Sequence, residues 1–260
     1  MPRIAVGVEY LGTAYIGWQR QAGQRSVQGE VEAALAAVAA APVGVTCAGR
    51  TDAGVHALGQ VAHFDTEAER VPRAWVLGAN TRLPPDIALT WARPMPADFH
   101  ARYSALARTY RYHIVNRSER PALAAGRVAW VHRPLDVGRM SEAAAHLPGE
   151  RDFSAFRAAE CQSKTPMRRV TALTVERSGD LVTITVTANA FLHHMVRNIA
   201  GLLIAIGRGD APPGFAAEVL AGRDRTRNAA TAPPDGLYFT AVTYPDRFGV
   251  PQPVSAIIPA

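Results

Sequence analysis

Across residues 4–9 apolar and polar side chains alternate, the period-2 signature of a strand with one buried face. Ser26 then stands where a helix cap is needed, and Val27, Val31, Leu35 and Val38 recur at helical spacing until Pro42 ends the run. Residues 43–47 and 60–65 read as strands around a loop rich in turn formers, residues 71–80 as a helix halted by Pro84-Pro85, and residues 87–92 as a strand. This is βαββαβ. The later chain runs through a similar order: a strand over 108–116, a helix over 137–147, a hairpin of 170–177 with 181–187 turning at Ser178-Gly179-Asp180, a helix over 191–207, a shorter one over 214–220, and a closing strand over 237–244.

Element order thus predicts an α+β fold: two ferredoxin-like βαββαβ halves forming one extended, mainly antiparallel sheet with helices on one side and an open face. The first half is expected over residues 1–97 and the second over 98–245, with the joint where Pro94, Pro96 and Asp98 interrupt the alternation. Residues 246–260 follow no period and are expected to form a tail on the surface.

Composition narrows the class. At 260 residues, 48% hydrophobic and 19% charged, the chain is expected to fold into a globular protein. Its apolar stretches are short: residues 33–45 are broken by Pro42 and Gly44, and residues 199–206 fall far below the roughly 18 needed to span a bilayer. The first residues lack an apolar leader core, so no secretory signal, no membrane association and a cytoplasmic location are expected. Cys47 and Cys161 read as two reduced thiols.

Charge points to a partner. The formal balance is +6, and Lys164 is the only lysine, so the basic residues are almost all arginine, a side chain suited to planar recognition of phosphate. Residues 101–139 hold Arg102, Arg108, Arg111, Arg117, Arg120, Arg127, Arg133 and Arg139 against only Glu119 and Asp136, and so carry the whole excess. Tyr103, Tyr110 and Tyr112 lie among them, a pattern expected of a polyanion track with stacking platforms. The alternative is an arginine-rich, lysine-poor composition with no bearing on binding.

Several chemistries lack a motif. Neither a GxxxxGK[ST] nor a GxGxxG string occurs, so nucleotide hydrolysis and dinucleotide chemistry have no anchor, and no nucleotide cofactor is expected. His193 and His194 are adjacent and would diverge on a helix or a strand, so no metal site is expected. Asp65, Glu67 and Glu69 read as a solvated strand end. One segment remains, GRTDAGVHA at residues 49–57, in which Gly49 and Gly54 bracket Asp52 and let a loop present its carboxylate. Arg50 stands two residues earlier, and a cation within about 4–6 Å favours the ionised carboxylate, ready to act as nucleophile or base. The same residues fit an Asx turn in which Asp52 merely accepts backbone N–H groups.

That segment has company. With Gly12-Thr13-Ala14-Tyr15-Ile16-Gly17-Trp18-Gln19, Arg108-Thr109-Tyr110-Arg111-Tyr112, Phe191-Leu192-His193-His194-Met195-Val196-Arg197-Asn198 and Ala232-Pro233-Pro234-Asp235-Gly236-Leu237, it resembles the tRNA pseudouridine synthase A family, five segments in the right order. The resemblance implies an isomerase that converts uridine to pseudouridine at tRNA positions 38, 39 and 40 in the anticodon arm, working as a homodimer without a cofactor. It implies Asp52 as the catalytic nucleophile after base flipping, Tyr110 stacked on the target base, Arg197 at the active site and Arg50 helping to extrude the nucleotide. By attack at C1′ or C6, or by removing a ribose proton, Asp52 would serve equally. Arg108 and Arg111, from the charged run, are expected on the RNA in an open cleft. Two other classes fit the residues without the resemblance: an RNA-binding protein with no chemistry, and a hydrolase of the nucleoside bond.

Overall fold

β1 (Arg3–Tyr10) opens the chain, and α1 (Val27–Ala39) follows, its first turn closed by the Ser26 hydroxyl, which accepts the Gly29 N–H at 3.3 Å. Val27, Val31 and Leu35 form the buried stripe of α1 that the spacing predicts. β2 (Thr46–Cys47), β3 (His56–Asp65), α2 (Pro72–Asn80) and β4 (Ile87–Met95) complete a first βαββαβ pass. The second pass comprises β5 (Ala107–Asn116), β6 (Ala129–Val131), α3 (Val137–Ala144), β7 (Gly149–Asp152), β8 (Met167–Ser178), β9 (Leu181–Ala188), α4 (Met195–Gly207), α5 (Phe215–Gly222) and β10 (Leu237–Thr243). The computed structural model describes residues 1–253. Contacts divide the described residues into two compact units: residues 1–106 with 238–253, and residues 107–237.

In the first unit the strand order is β4-β1-β3-β2 with every neighbour antiparallel, the ferredoxin-like arrangement, and β10 lies parallel to β3 with Tyr238 opposite His56. One face packs on the helices: Phe64 meets fully buried Trp75 edge-on, centroids 5.1 Å apart. The other face is covered by the chain after β4. There His63 lies 4.8 Å from the His100 ring, and its Nδ1 accepts the Ala101 N–H at 3.1 Å. Burial, with the nearby His100 ring and Arg3 guanidinium, holds the His63 imidazole down to about 4, so it stays neutral and able to accept that bond.

The expected surface tail is partly core. Residues Asp246–Phe248 form one helical turn, and Phe248, 3% exposed, packs edge-on against Phe99 at 5.2 Å. An apolar ring with a partner leaves water whatever the period of its neighbours. Residues 254–260 lie outside the described residues. Asp65 ends β3 exposed, as expected, and Arg3 grips its two oxygens there, each at 2.8 Å.

In the second unit the order is β5-β9-β8-β7, antiparallel throughout, with β6 added in parallel to β5. Strict alternation along β9 sends Val182, Ile184, Val186 and Ala188 inward and Thr183, Thr185 and Thr187 to the opposite face. Helix α4 is apolar nearly all round, and every residue in it except Arg197 is buried, as befits a core helix. It begins at Met195, later than the periodicity predicts, because His194 adopts a left-handed φ of 61°.

Gly201 lets α4 touch a neighbouring segment backbone to backbone. A Cβ there would stand 2.0 Å from the Ala230 carbonyl oxygen. On an exposed helix Gly→Ala stabilises by about 1 kcal/mol. Here Gly201→Ala is expected to reverse that sign and to lower the midpoint of urea unfolding.

Candidate active site

Two segments distant in sequence build the carboxylate loop of the first unit. Ala48 N–H donates to Val61 O at 2.8 Å, so the chain leaves β2 still paired to β3, and it returns at His56. Between these points residues 12–18 hold it. Trp18 N–H donates to Thr51 O at 3.0 Å, Gly54 N–H donates to Tyr15 O at 3.3 Å, and Gly17 and Asp52 form an antiparallel bridge. Gly17 has a φ of +108°, and a Cβ on it would stand 2.5 Å from Thr51 O. Within the loop Val55 N–H donates to the backbone oxygen of Asp52 at 3.2 Å, closing a tight turn.

Side chains of the loop sort by direction. Thr51 is buried, Asp52 half-buried, and Arg50 and Ala53 exposed. Asp52 is thus borne half-buried on a backbone that is bonded on both sides. Arg50 lies close enough to Cys47 to oppose the effect of burial, which pushes that thiol up to about 12. Cys47 and Cys161 are both free.

The remaining predicted residues belong to the second unit. Tyr110 sits on β5, 8% exposed, its ring edge-on to Phe191 at 5.0 Å. Arg108 shares that face of β5 by alternation and donates to Asn189 O at 2.8 Å. Arg111 lies on the opposite face, exposed, across from Thr185, and forms no hydrogen bond or ion pair among the described residues.

Arg197, in the first turn of α4, is half-buried. Its Nε donates to Ala232 O at 2.8 Å, while Ala232 N–H donates to Arg197 O at 3.1 Å. The next residue, Asn198, is fully buried and satisfied: Nδ2 donates to Phe156 O at 2.7 Å, and Oδ1 accepts from Thr231 at 2.7 Å and Arg225 at 3.1 Å. Tyr112 donates its hydroxyl to Pro233 O at 2.9 Å, and burial pushes that phenol above its ordinary value. The segment around Arg197 and the segment 232–237 are therefore one bonded substructure.

The arginine run is less uniform than its count suggests. Arg139 donates to Ile206 O at 3.3 Å and Ala211 O at 2.9 Å, and Arg133 donates to Arg208 O at 3.2 Å and pairs with Asp210 at 3.1 Å. Both serve the carbonyls at the C-terminal end of α4, where cations are favoured. Arg117 pairs with Asp180 at 3.5 Å. Arg120, like Arg111, is exposed and forms no hydrogen bond or ion pair among the described residues.

Comparison with known proteins agrees with these motifs. A family described as tRNA pseudouridine synthase matches residues 6–104 and 143–245. The chain is 58% identical over 248 residues to tRNA pseudouridine synthase A of Methylococcus capsulatus, covering 95% of this chain and 92% of that protein. It is 57% identical over 251 residues to tRNA pseudouridine synthase A of Pseudomonas aeruginosa, covering 96% and 88%. Against the protein of that name from Coxiella burnetii, strain Dugway, it is 55% identical over 252 residues, covering 97% of each.

Proposed function

Since the chain belongs to the tRNA pseudouridine synthases, an isomerase acting on uridine in tRNA, we propose that Asp52 is its catalytic nucleophile. Membership decides against the two rival classes, RNA binding without chemistry and hydrolysis of the nucleoside bond. The reaction breaks the N1–C1′ bond and joins C5 to C1′. The base exchanges one proton at C5 for one at N1, so no group is lost and no electrons pass to a carrier.

One observation carries the assignment of Asp52: a half-buried acidic residue on a turn whose backbone is bonded to residues 15–18 and to its own strand pair. A nucleophile that must meet a nucleoside carbon gains from such prior placement, because the ordering entropy is spent in folding and not in the transition state. We assign target uridines at positions 38, 39 and 40 of the anticodon arm. A base there is paired or stacked and must be flipped out at a cost of a few kcal/mol. Stacking on Tyr110 returns about 1–3 kcal/mol. The Tyr110 ring is braced edge-on by Phe191, which supports that role. Arg197 is a substrate contact whose guanidinium is oriented by its bond to Ala232 O. Arg50, exposed beside Asp52, helps hold the extruded nucleotide.

Arg108 and Arg111 complete the proposal as RNA contacts through phosphates, which give affinity without reading sequence. The protein acts as a homodimer in the cytoplasm, and no helix among the described residues is long and apolar enough to cross a membrane.

Asp52→Asn, which keeps size and removes the charge, is expected to bind tRNA as the parent does and to form no pseudouridine. Nucleoside analysis of the treated tRNA reads the outcome, and near-parental turnover removes Asp52 from the role. Arg111→Ala is expected to weaken binding and to lower the slope of log K against log salt by about 1. An unchanged slope in filter binding places Arg111 away from phosphate.

A further inference from the structure

The loop is held by side chains as well as by backbone. Tyr10, the last residue of β1 and 4% exposed, places its hydroxyl 2.8 Å from the Thr51 hydroxyl, itself on a residue 7% exposed. Trp18 braces both ends of this contact: its ring lies 6.0 Å from the Tyr10 ring, and its N–H donates to Thr51 O. Fully buried Gln60 donates to Gly49 O at 2.6 Å, pinning the loop on the near side of Arg50.

We propose that the Tyr10–Thr51 hydroxyl pair is a positioning device for the isomerisation: by tethering Thr51 inward it fixes the direction in which Asp52 is presented, without touching the substrate. The inference rests on the catalytic role given to Asp52 above.

In extended chain, consecutive side chains leave the backbone on opposite sides. Thr51 anchored toward β1 therefore turns Asp52 away from it. Gly49 and Gly54 flank residues 50–53 with conformationally permissive positions; the backbone bonds to Trp18 and Tyr15 fix the path of the chain there, and the Tyr10 bond adds a side-chain anchor at Thr51. Rotating Thr51 outward would cost the buried Tyr10 hydroxyl its bond to Thr51, which opposes the motion. Burial also pushes the Tyr10 phenol above its ordinary value, so the pair stays neutral and its hold does not vary with pH.

The test compares Tyr10→Phe, Thr51→Val, the double variant, Thr51→Ser and Asp52→Asn, using single-turnover rates of pseudouridine formation with tRNA affinity and melting temperature measured alongside. Tyr10→Phe and Thr51→Val are each expected to slow the single-turnover step by about 10- to 100-fold at every pH, the scale set by a misplacement near 1 Å, with tRNA affinity unchanged. The double variant is expected to be no slower than the worse single, because both remove one contact. Thr51→Ser, which keeps the hydroxyl, recovers most of what Thr51→Val loses. Should Thr51→Val fail to fold, Tyr10→Phe, which keeps the ring, carries the test alone. Parental rates in Tyr10→Phe, losses that multiply in the double variant, or a Thr51→Ser variant as slow as Thr51→Val overturn the positioning role. An Asp52→Asn variant that still turns over overturns instead the reading beneath it.

Discussion

The close approach of the backbone at residues 15–18 to the backbone at residues 51–54 is the constraint on which the candidate site depends. It requires a residue without a side chain at position 17, since any Cβ there would stand 2.5 Å from Thr51 O. Once that approach is made, an N–H from each segment finds a carbonyl on the other, at 3.0 Å from Trp18 to Thr51 and 3.3 Å from Gly54 to Tyr15. Each such bond contributes only about 0.5–1.5 kcal/mol net. Their effect lies in geometry more than in stability: a loop that would otherwise be mobile acquires a fixed direction, and the carboxylate it bears is presented before any substrate arrives.

The second unit is built on the same logic around α4. Apolar residues on every side of that helix make it a core element, and Arg197 is its one residue that is not buried. What keeps Arg197 in place is polar: Ala232 bonds both its backbone and its guanidinium, and buried Asn198 joins Phe156, Arg225 and Thr231 through satisfied hydrogen bonds. Buried polar groups that find all their partners specify one arrangement, whereas a half-satisfied network would favour several. In both units a candidate site residue sits beside a buried polar anchor, Thr51 next to Asp52 and Asn198 next to Arg197.

Much of the architecture is legible in the sequence because burial imposes a period. β9 alternates without error, Ser26 caps α1 as its chemistry demands, and the hairpin at Ser178-Gly179-Asp180 turns where glycine permits it. Elements without a period are hidden. β6 has three residues, and β7 is the charged tetrapeptide GERD, with three of its residues exposed, so pairing alone makes them strands. Phe248 is buried by a partner more than a hundred residues away, which no local pattern reports. Trp130, a large apolar side chain that composition alone would bury, is 41% exposed, with its indole N–H bonded to Arg117 O. The arginine run shows the same limit: Arg139 and Arg111 are identical as letters, yet one binds the end of α4 and the other faces solvent. As for the site, the residues alone favour Asp52 as a turn former over a nucleophile, and the resemblance is what turns the reading to a nucleophile. Tyr10 and Gln60 escape notice because on their strands they read as ordinary inward positions.

Moving the carboxylate without changing its charge tests the central claim most directly. Asp52→Glu keeps the anion and the loop and displaces the reacting oxygens by one methylene, a little over 1 Å. If rigid placement is what the loop supplies, single-turnover formation of pseudouridine falls by about 100-fold or more while tRNA affinity is unchanged. A rate near the parental one would show that a negative charge in the neighbourhood suffices, and would contradict the account.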